Sequence, residues 1–188
     1  MKSVFKVLVF AGWVMLLGSL PVVATPAANV AQAQVANSDG FQLPATQQYA
    51  HKVVSGALGP WSQVQVRLIQ SAEVDDAPFS GEVVIPSDGQ DKVVHKLPPV
   101  DETEAHFMTK VLAVMFRNVD QAAQKELIVL YIATRIGPRQ PSYFSTCVYK
   151  WDGAAFVRVP KTEAHLKGAK TAKEGDRRLS TLKTRRKE

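Results

Sequence analysis

Metal-ligand side chains alternate over a short stretch near the middle of the chain. Glu102, Glu104 and His106 are each separated from the next by one residue. Because successive side chains of a strand point to opposite faces, a strand here would place all three on one side. Carboxylate oxygens and imidazole nitrogens are ligands for divalent metals. A small metal-dependent hydrolase is therefore one functional hypothesis, and a solvated acidic loop is the alternative interpretation of the same residues.

Cys147 is the single cysteine of the chain and the next residue with potential chemistry. A thiolate beside a histidine is a nucleophile in some enzymes. Here the cysteine lies inside the aromatic stretch 143–151, where an unpaired thiol packs as a small buried side chain. The sequence contains no Gly-x-Ser-x-Gly motif and no glycine-rich phosphate-binding loop. We predict no catalytic residue, no cofactor-binding residue and no cofactor, and hence a protein that is not an enzyme.

Positive charge is concentrated at the C-terminus. The chain has 23 lysines and arginines and 17 acidic residues, a net charge of +6. From residue 161 onward ten basic residues face four acidic ones, so this segment accounts for the whole surplus. The cluster can bind an anionic envelope surface through Lys183, Arg185, Arg186 and Lys187, and a solvated terminus is the alternative. No aromatic residue is interleaved with these charges to stack on bases, so nucleic acid is not a predicted partner.

The elements that position these residues are predicted to be mostly strands. Polar and apolar residues alternate over 63–68, which indicates a half-buried strand. The β-branched stretches 81–85 and 92–97 flank Asp88-Gly89, which is typical of a hairpin. Further β-branched and aromatic stretches occupy 127–133, 143–151 and 156–159. The pattern predicts a mainly β (α+β) fold with an antiparallel sheet of six or seven strands.

Helical patterns occupy less of the chain. Residues 161–188 are rich in helix formers with sparse apolar positions. They predict one or two short helices packed on the sheet, ending in turns that contribute little to the core. A short helix is also predicted over 46–55, with Thr46 as its N-cap and Gly56 as its stop. The apolar stretch 107–116 is compatible with either a buried helix or a central strand.

A longer pattern covers residues 114–159, a quarter of the chain. It consists of Phe116–Asp120 (FRNVD), Glu126–Leu130 (ELIVL) and Tyr149–Gly153 (YKWDG) followed by Phe156. This order resembles one FG-GAP or VCBS-type β-repeat, in which a strand, an Asp-rich loop, an apolar strand and an aromatic hairpin follow one another. The element occurs once, whereas a propeller needs several blades. The resemblance therefore implies one β domain of an exported bacterial protein.

The loop of such repeats binds calcium through oxygen ligands. The resemblance places the ligand positions at Asn118, Asp120 and Glu126, while Ala122 stands where a further ligand is required. Two carboxylates and one amide fall short of the about six to eight oxygens that Ca²⁺ takes. We predict that this vestigial calcium-type loop binds no metal and that its polar side chains hydrogen-bond the loop backbone instead.

The N-terminus has the pattern of a secretory signal. Lys2 and Lys6 precede an apolar run over 7–17. Small residues follow the run and favour cleavage after Ala24 or after Ala33. An uncleaved membrane anchor is the alternative. We predict a signal peptide over 1–24, a flexible spacer over 25–40, a β-rich domain over 41–160 and a basic helical segment over 161–188. The expected product is a periplasmic or extracellular module with a binding or structural role and no transmembrane span after cleavage.

Overall fold

A computed structural model describes residues 42–74, 77–86, 93–100, 107–120, 123–135 and 141–185. Within these ranges the chain forms two antiparallel β-sheets and two short helices. Neither helix is long and apolar enough to cross a bilayer in the part of the chain so described.

The first sheet is built around one long strand. Its members are β1 (Gln47–Tyr49), β2 (Val54–Leu58), β3 (Trp61–Ser71), β4 (Ser80–Ile85) and β5 (Val93–Lys96). The order is β1-β3-β4-β5, and β2 pairs with the other end of β3 on the side of β1. All pairs are antiparallel, and the consecutive strands among them are joined by short connections.

The second sheet is a meander of four strands. These are β6 (Phe107–Arg117), β7 (Glu126–Arg135), β8 (Ser142–Trp151) and β9 (Phe156–Arg158), in the order β6-β7-β8-β9. A register shift interrupts the β6–β7 ladder between Val111 and Ala113.

The main core lies between the two sheets. Every second residue of β3 faces it, namely Val64, Val66 and Leu68, and each is at most 2% exposed. The facing residues of β7 are Leu127, Val129, Tyr131 and Ala133, all fully buried. Because side chains alternate between the two sides of a strand, each strand has a core face and an outer face.

The outer face of the second sheet is covered by α1 (Pro160–Leu166) and α2 (Ala172–Arg185). Ile128 and Leu130 of β7 pack there against Leu166 and Leu179 of the helices. Because β7 is buried on both faces, its sequence is apolar without alternation. The described residues therefore form three layers: first sheet, second sheet and helices.

The predicted mainly β character, the antiparallel pairing and the packed helical segment are confirmed. The single sheet of six or seven strands is replaced by two sheets, because β7 and its neighbours bury apolar residues on both faces and need a covering layer on each. The ambiguous stretch 107–116 is a strand. Leu182, in the turns expected to add little to the core, packs partly buried against the helix-side cluster.

The prediction of a helix over 46–55 is wrong. This stretch contributes β1 and the start of β2, both of which pair with β3. Tyr49 lies opposite Ile69, and Gly56 lies opposite Val64. The ladder hydrogen bonds and the burial supplied by β3 come from residues distant in sequence, and they outweigh the weak local helical pattern.

Candidate functional site

The residues predicted as a metal site, Glu102, Glu104 and His106, lie outside the described residues. The ranges that are described contain no group of three or more histidine, cysteine, aspartate or glutamate side chains able to hold a metal ion. Cys147 is fully buried in the core between the sheets. The sequence interpretation of Cys147 as a packed, buried thiol is confirmed.

The calcium-type loop connects β6 to β7, and the structure brings together two of the three residues at its ligand positions. Asp120 forms an ion pair with Lys150 of β8. Glu126 is 2% exposed and accepts a hydrogen bond from the backbone N–H of Val119 at 2.8 Å. Asn118 directly follows β6. The cation that faces this pair of carboxylates is the Lys150 ammonium, which sequence reasoning missed because it lies 30 residues away.

Burial makes the charge of Glu126 unfavourable. Desolvation raises the pKa of its carboxyl above the usual range, the Val119 N–H opposes that rise, and the neighbouring Asp120 adds to it. A raised folded-state pKa means that Glu126 contributes stability below its unfolded pKa of about 4.3. That contribution is lost as pH rises through the folded-state value.

We therefore expect Glu126→Gln to be at least as stable as the wild type at pH 7. The neutral amide keeps an acceptor for the Val119 N–H and removes the buried charge. Its advantage should shrink as pH falls towards about 4. Urea unfolding from acidic to neutral pH measures this, with Glu73→Gln at an exposed carboxylate as the control. A variant clearly less stable than wild type at pH 7 would show that the ionised carboxylate is the stabilising form.

An aromatic cluster joins the edges of the two sheets. The Trp61 and Trp151 ring centroids are 4.7 Å apart, and those of His95 and Trp151 are 4.9 Å apart. Phe156 completes the cluster and is 3% exposed. Gly59 adopts φ +58° in the turn before Trp61, which lets the chain pass close to Trp151. The cluster packs against the main core, so its evident role is to close the sandwich edge.

A groove of about 410 Å³ lies at the end of the first sheet where β1, β3 and β4 meet. Its lining is mainly uncharged and polar, including Gln47, Gln70, Ser71 and Ser80. Among the described residues that line it, Glu73 is the one ionisable side chain.

The helical layer carries the strongest charge feature of the protein, and this feature arises from the partners of its carboxylates. Glu163 of α1 binds Arg158 of β9 through two hydrogen bonds of 2.5 and 3.0 Å. Asp176 of α2 binds Arg117 of β6 in the same two-bond manner, at 2.5 and 2.9 Å. Two acidic groups of the helices thus neutralise arginines of the sheet beneath rather than lysines of the helices.

The remaining described carboxylate of the helical layer is Glu174. It pairs with Arg178 at 3.0 Å and lies 3.8 Å from Arg177. Among the described residues, no ion pair forms at the exposed lysines of this layer, Lys161, Lys167, Lys170 and Lys173. We call the surface formed by these four lysines and Arg177 the basic face.

The basic face differs from the tail cluster predicted from sequence. Lys183 is half-buried near the end of α2, Arg185 is the last residue of that helix, and Arg186 and Lys187 lie outside the described residues. The lysines of the basic face were counted in the charge of residues 161–188 but not named as a surface. The sequence did contain a signal for this surface, since residues 161–188 have ten basic residues and four acidic ones.

Charge is divided unevenly along the sequence. Residues 41–106, which include the first sheet, carry four basic and nine acidic residues, a net charge of −5. Residues 107–188, which include the second sheet and the helices, carry 17 basic and seven acidic residues, a net charge of +10. The surplus of positive charge therefore lies in the part of the sequence that contains the second sheet and the helices.

Comparison with protein-family models, with curated proteins and with solved structures finds no match to this chain.

Proposed function

We propose that this chain is an exported, non-enzymatic binding module that attaches to an anionic surface of the cell envelope through the basic face. The observation that carries the proposal is the use of the acidic residues in the helical layer. Glu163 and Asp176 neutralise sheet arginines, which leaves exposed lysines at Lys161, Lys167 and Lys173 without acidic partners in the described chain.

The strength of this attachment comes from the number of lysines rather than from any single contact. An exposed lysine near an anionic surface contributes about 1 kcal/mol, and this falls off within a Debye length of about 10 Å at 0.1 M salt. Four such lysines on one layer add their contributions when the partner is an extended surface. Binding should therefore be strong at low ionic strength and weaken steeply towards physiological salt.

The location of the surplus charge supports attachment through the helical layer. Residues 107–188, which include this layer, have a net charge of +10, so an anionic surface attracts them. The module would rest on its helices.

The export part of the proposal rests on the N-terminal residues. The two lysines, the apolar run over 7–17 and the small residues up to Ala24 have the order of a cleavable secretory signal. Intact-mass analysis of the exported protein should show a chain that begins at Thr25 or, after the alternative cleavage, at Gln34. A chain that keeps Met1 in the membrane fraction would replace this part of the proposal with an uncleaved anchor.

The attachment is tested by fractionating bacteria that export the protein. We expect the wild type in the envelope fraction at about 0.01 M salt, and released from it at about 0.15 M or above. The triple variant Lys161→Gln, Lys167→Gln, Lys173→Gln should remain in the soluble fraction at low salt.

A matched control separates the basic face from net charge. The triple variant Lys52→Gln, Lys96→Gln, Lys125→Gln removes three exposed lysines from other parts of the molecule. It lowers the net charge by the same amount and should partition as the wild type does. Equal behaviour of the two triple variants would mean that the basic face is not the attachment surface, and the proposal would fail.

A further inference from the structure

Among the described residues, the helix end beside the basic face is not free to bind a small anion. The N-terminus of α2, where backbone N–H groups would attract a phosphate, is capped by the chain itself. The Glu174 N–H donates to Thr171 Oγ1 at 3.2 Å, and the Lys170 N–H donates to Glu174 Oε2 at 3.1 Å. The Glu174 carboxylate also brings negative charge to the place where an anion would bind.

The basic face also has nothing to insert into a bilayer. Between Ala172 and Thr184 the exposed positions of α2 are basic or hydroxylic, namely Lys173, Arg177, Ser180, Thr181 and Thr184. The leucines of this helix, Leu179 and Leu182, pack towards the sheet. Helices that bind membranes at the interface bury an apolar face among the acyl chains, and this helix presents the opposite face to solvent.

The hydroxyl groups on this face are arranged to accept hydrogen bonds from a ligand. Ser180 and Thr181 both donate their protons to the Arg177 carbonyl, at 2.7 and 3.3 Å. Thr184 donates to the Ser180 carbonyl at 3.1 Å. With the protons directed to the helix backbone, the oxygen lone pairs remain for donors from outside. A partner that offers both negative charge and hydroxyl donors fits this surface.

The charges of the basic face lie on three segments of the chain. Lys161 is in the first turn of α1, Lys167 and Lys170 are on the connection, and Lys173 and Arg177 are in the first two turns of α2. A ligand that contacts several of them at once must be extended, and its affinity then rises by multivalency rather than by any single strong contact.

We infer that the ligand of the basic face is an acidic polysaccharide, a linear hydrated polymer that carries carboxylates and hydroxyls. The inference rests on the proposed function and names its ligand class. The polymer lies along the helical layer, with its carboxylates on Lys161, Lys167 and Lys173 and its hydroxyls donating to the serine and threonine oxygens of α2. No part of it enters a pocket, and charge density and length determine the affinity.

The test uses the exported form of the full chain with three probes at about 0.01 M salt. The probes are long-chain polygalacturonate, galacturonate monomer, and vesicles of phosphatidylglycerol and phosphatidylcholine. We expect polygalacturonate to bind the wild type and the Lys52/Lys96/Lys125→Gln control equally. The Lys161/Lys167/Lys173→Gln variant should bind about a hundredfold more weakly, from about fivefold for each lysine. Thermal melting of all three proteins shows that the variants are folded.

Three outcomes decide the inference. Competition by the monomer that equals that of the polymer at the same carboxylate concentration would show a discrete anion site and overturn it. Lysine-dependent binding to vesicles without binding to polygalacturonate would also overturn it, while leaving the proposed attachment to an anionic surface in place. Binding of both probes that is unchanged in the Lys161/Lys167/Lys173→Gln variant would overturn the proposed function itself.

Discussion

Glu163→Ala should lower the free energy of unfolding by about 3 kcal/mol, or the melting temperature by about 6–12 °C. The Glu163 side chain is 14% exposed and binds Arg158, whose side chain is 22% exposed. Its Oε1 also accepts the backbone N–H of Val148 at 2.9 Å. Alanine would leave a largely buried guanidinium without its carboxylate and a buried N–H without its acceptor.

The position of Glu163 explains why its loss matters. β9 ends at Arg158, so the next N–H of β8 along its edge, that of Val148, has no strand carbonyl beside it and bonds to the first turn of α1 instead. Burial disfavours the charge of Arg158, yet the Glu163 carboxylate raises the pKa of the guanidinium above its usual value. Arg158 further donates to the Pro99 carbonyl at 3.2 Å. The pair thus holds α1 on the second sheet.

Glu163→Gln is the matched control. The amide oxygen can still accept the Val148 N–H, so this variant should lose the charge interaction and keep the backbone hydrogen bond. We expect it to lie between wild type and Glu163→Ala in chemical denaturation, about 1–2 kcal/mol below wild type. If alanine costs less than about 1 kcal/mol, the helix is held by Leu166 and its apolar neighbours alone, and the ion pair has little weight.

The strands could be predicted where their signal is local. Alternation along β3 and the β-branched content of β7 and β8 are properties of short stretches, and they predicted strands correctly. The division into two sheets could not be predicted in the same way. It depends on which face of each strand meets which partner. In a strand such as β7, polar and apolar residues do not alternate, so the sequence does not indicate which face packs on which layer.

The basic face could be predicted as an amount of charge and not as a surface. The charge count of the last 28 residues located the surplus. Which lysines remain exposed and unpaired depends on Arg117 and Arg158 of the second sheet, because these arginines bind the carboxylates that would otherwise neutralise the helices. Arg117 and Asp176 are 59 residues apart, and no local pattern links them.

Gly56→Ala should lower the free energy of unfolding by about 2 kcal/mol, the range expected for overpacking a filled core. Gly56 lies within β2, opposite the fully buried Val64. A Cβ at Gly56 would lie 2.6 and 2.8 Å from two ring carbons of Phe116 in β6. The ring is rigid and packs against the main core, so it cannot move aside without disturbing its own contacts. This is where an edge of the first sheet meets the second sheet, and the absence of a side chain permits that approach.

A double-mutant cycle with Phe116→Ala separates this contact from the conformational preference of glycine. Phe116→Ala alone should cost about 2–3 kcal/mol, because the ring is partly buried. In its background the Gly56→Ala change meets no ring, and replacing a strand glycine should be neutral or stabilising by about 0.5 kcal/mol. The expected coupling between the two substitutions is therefore about 2 kcal/mol, measured by urea unfolding of the four proteins. Additive effects would mean that Phe116 and Gly56 do not compete for the same space, and that the close approach of β2 and β6 is held by other residues.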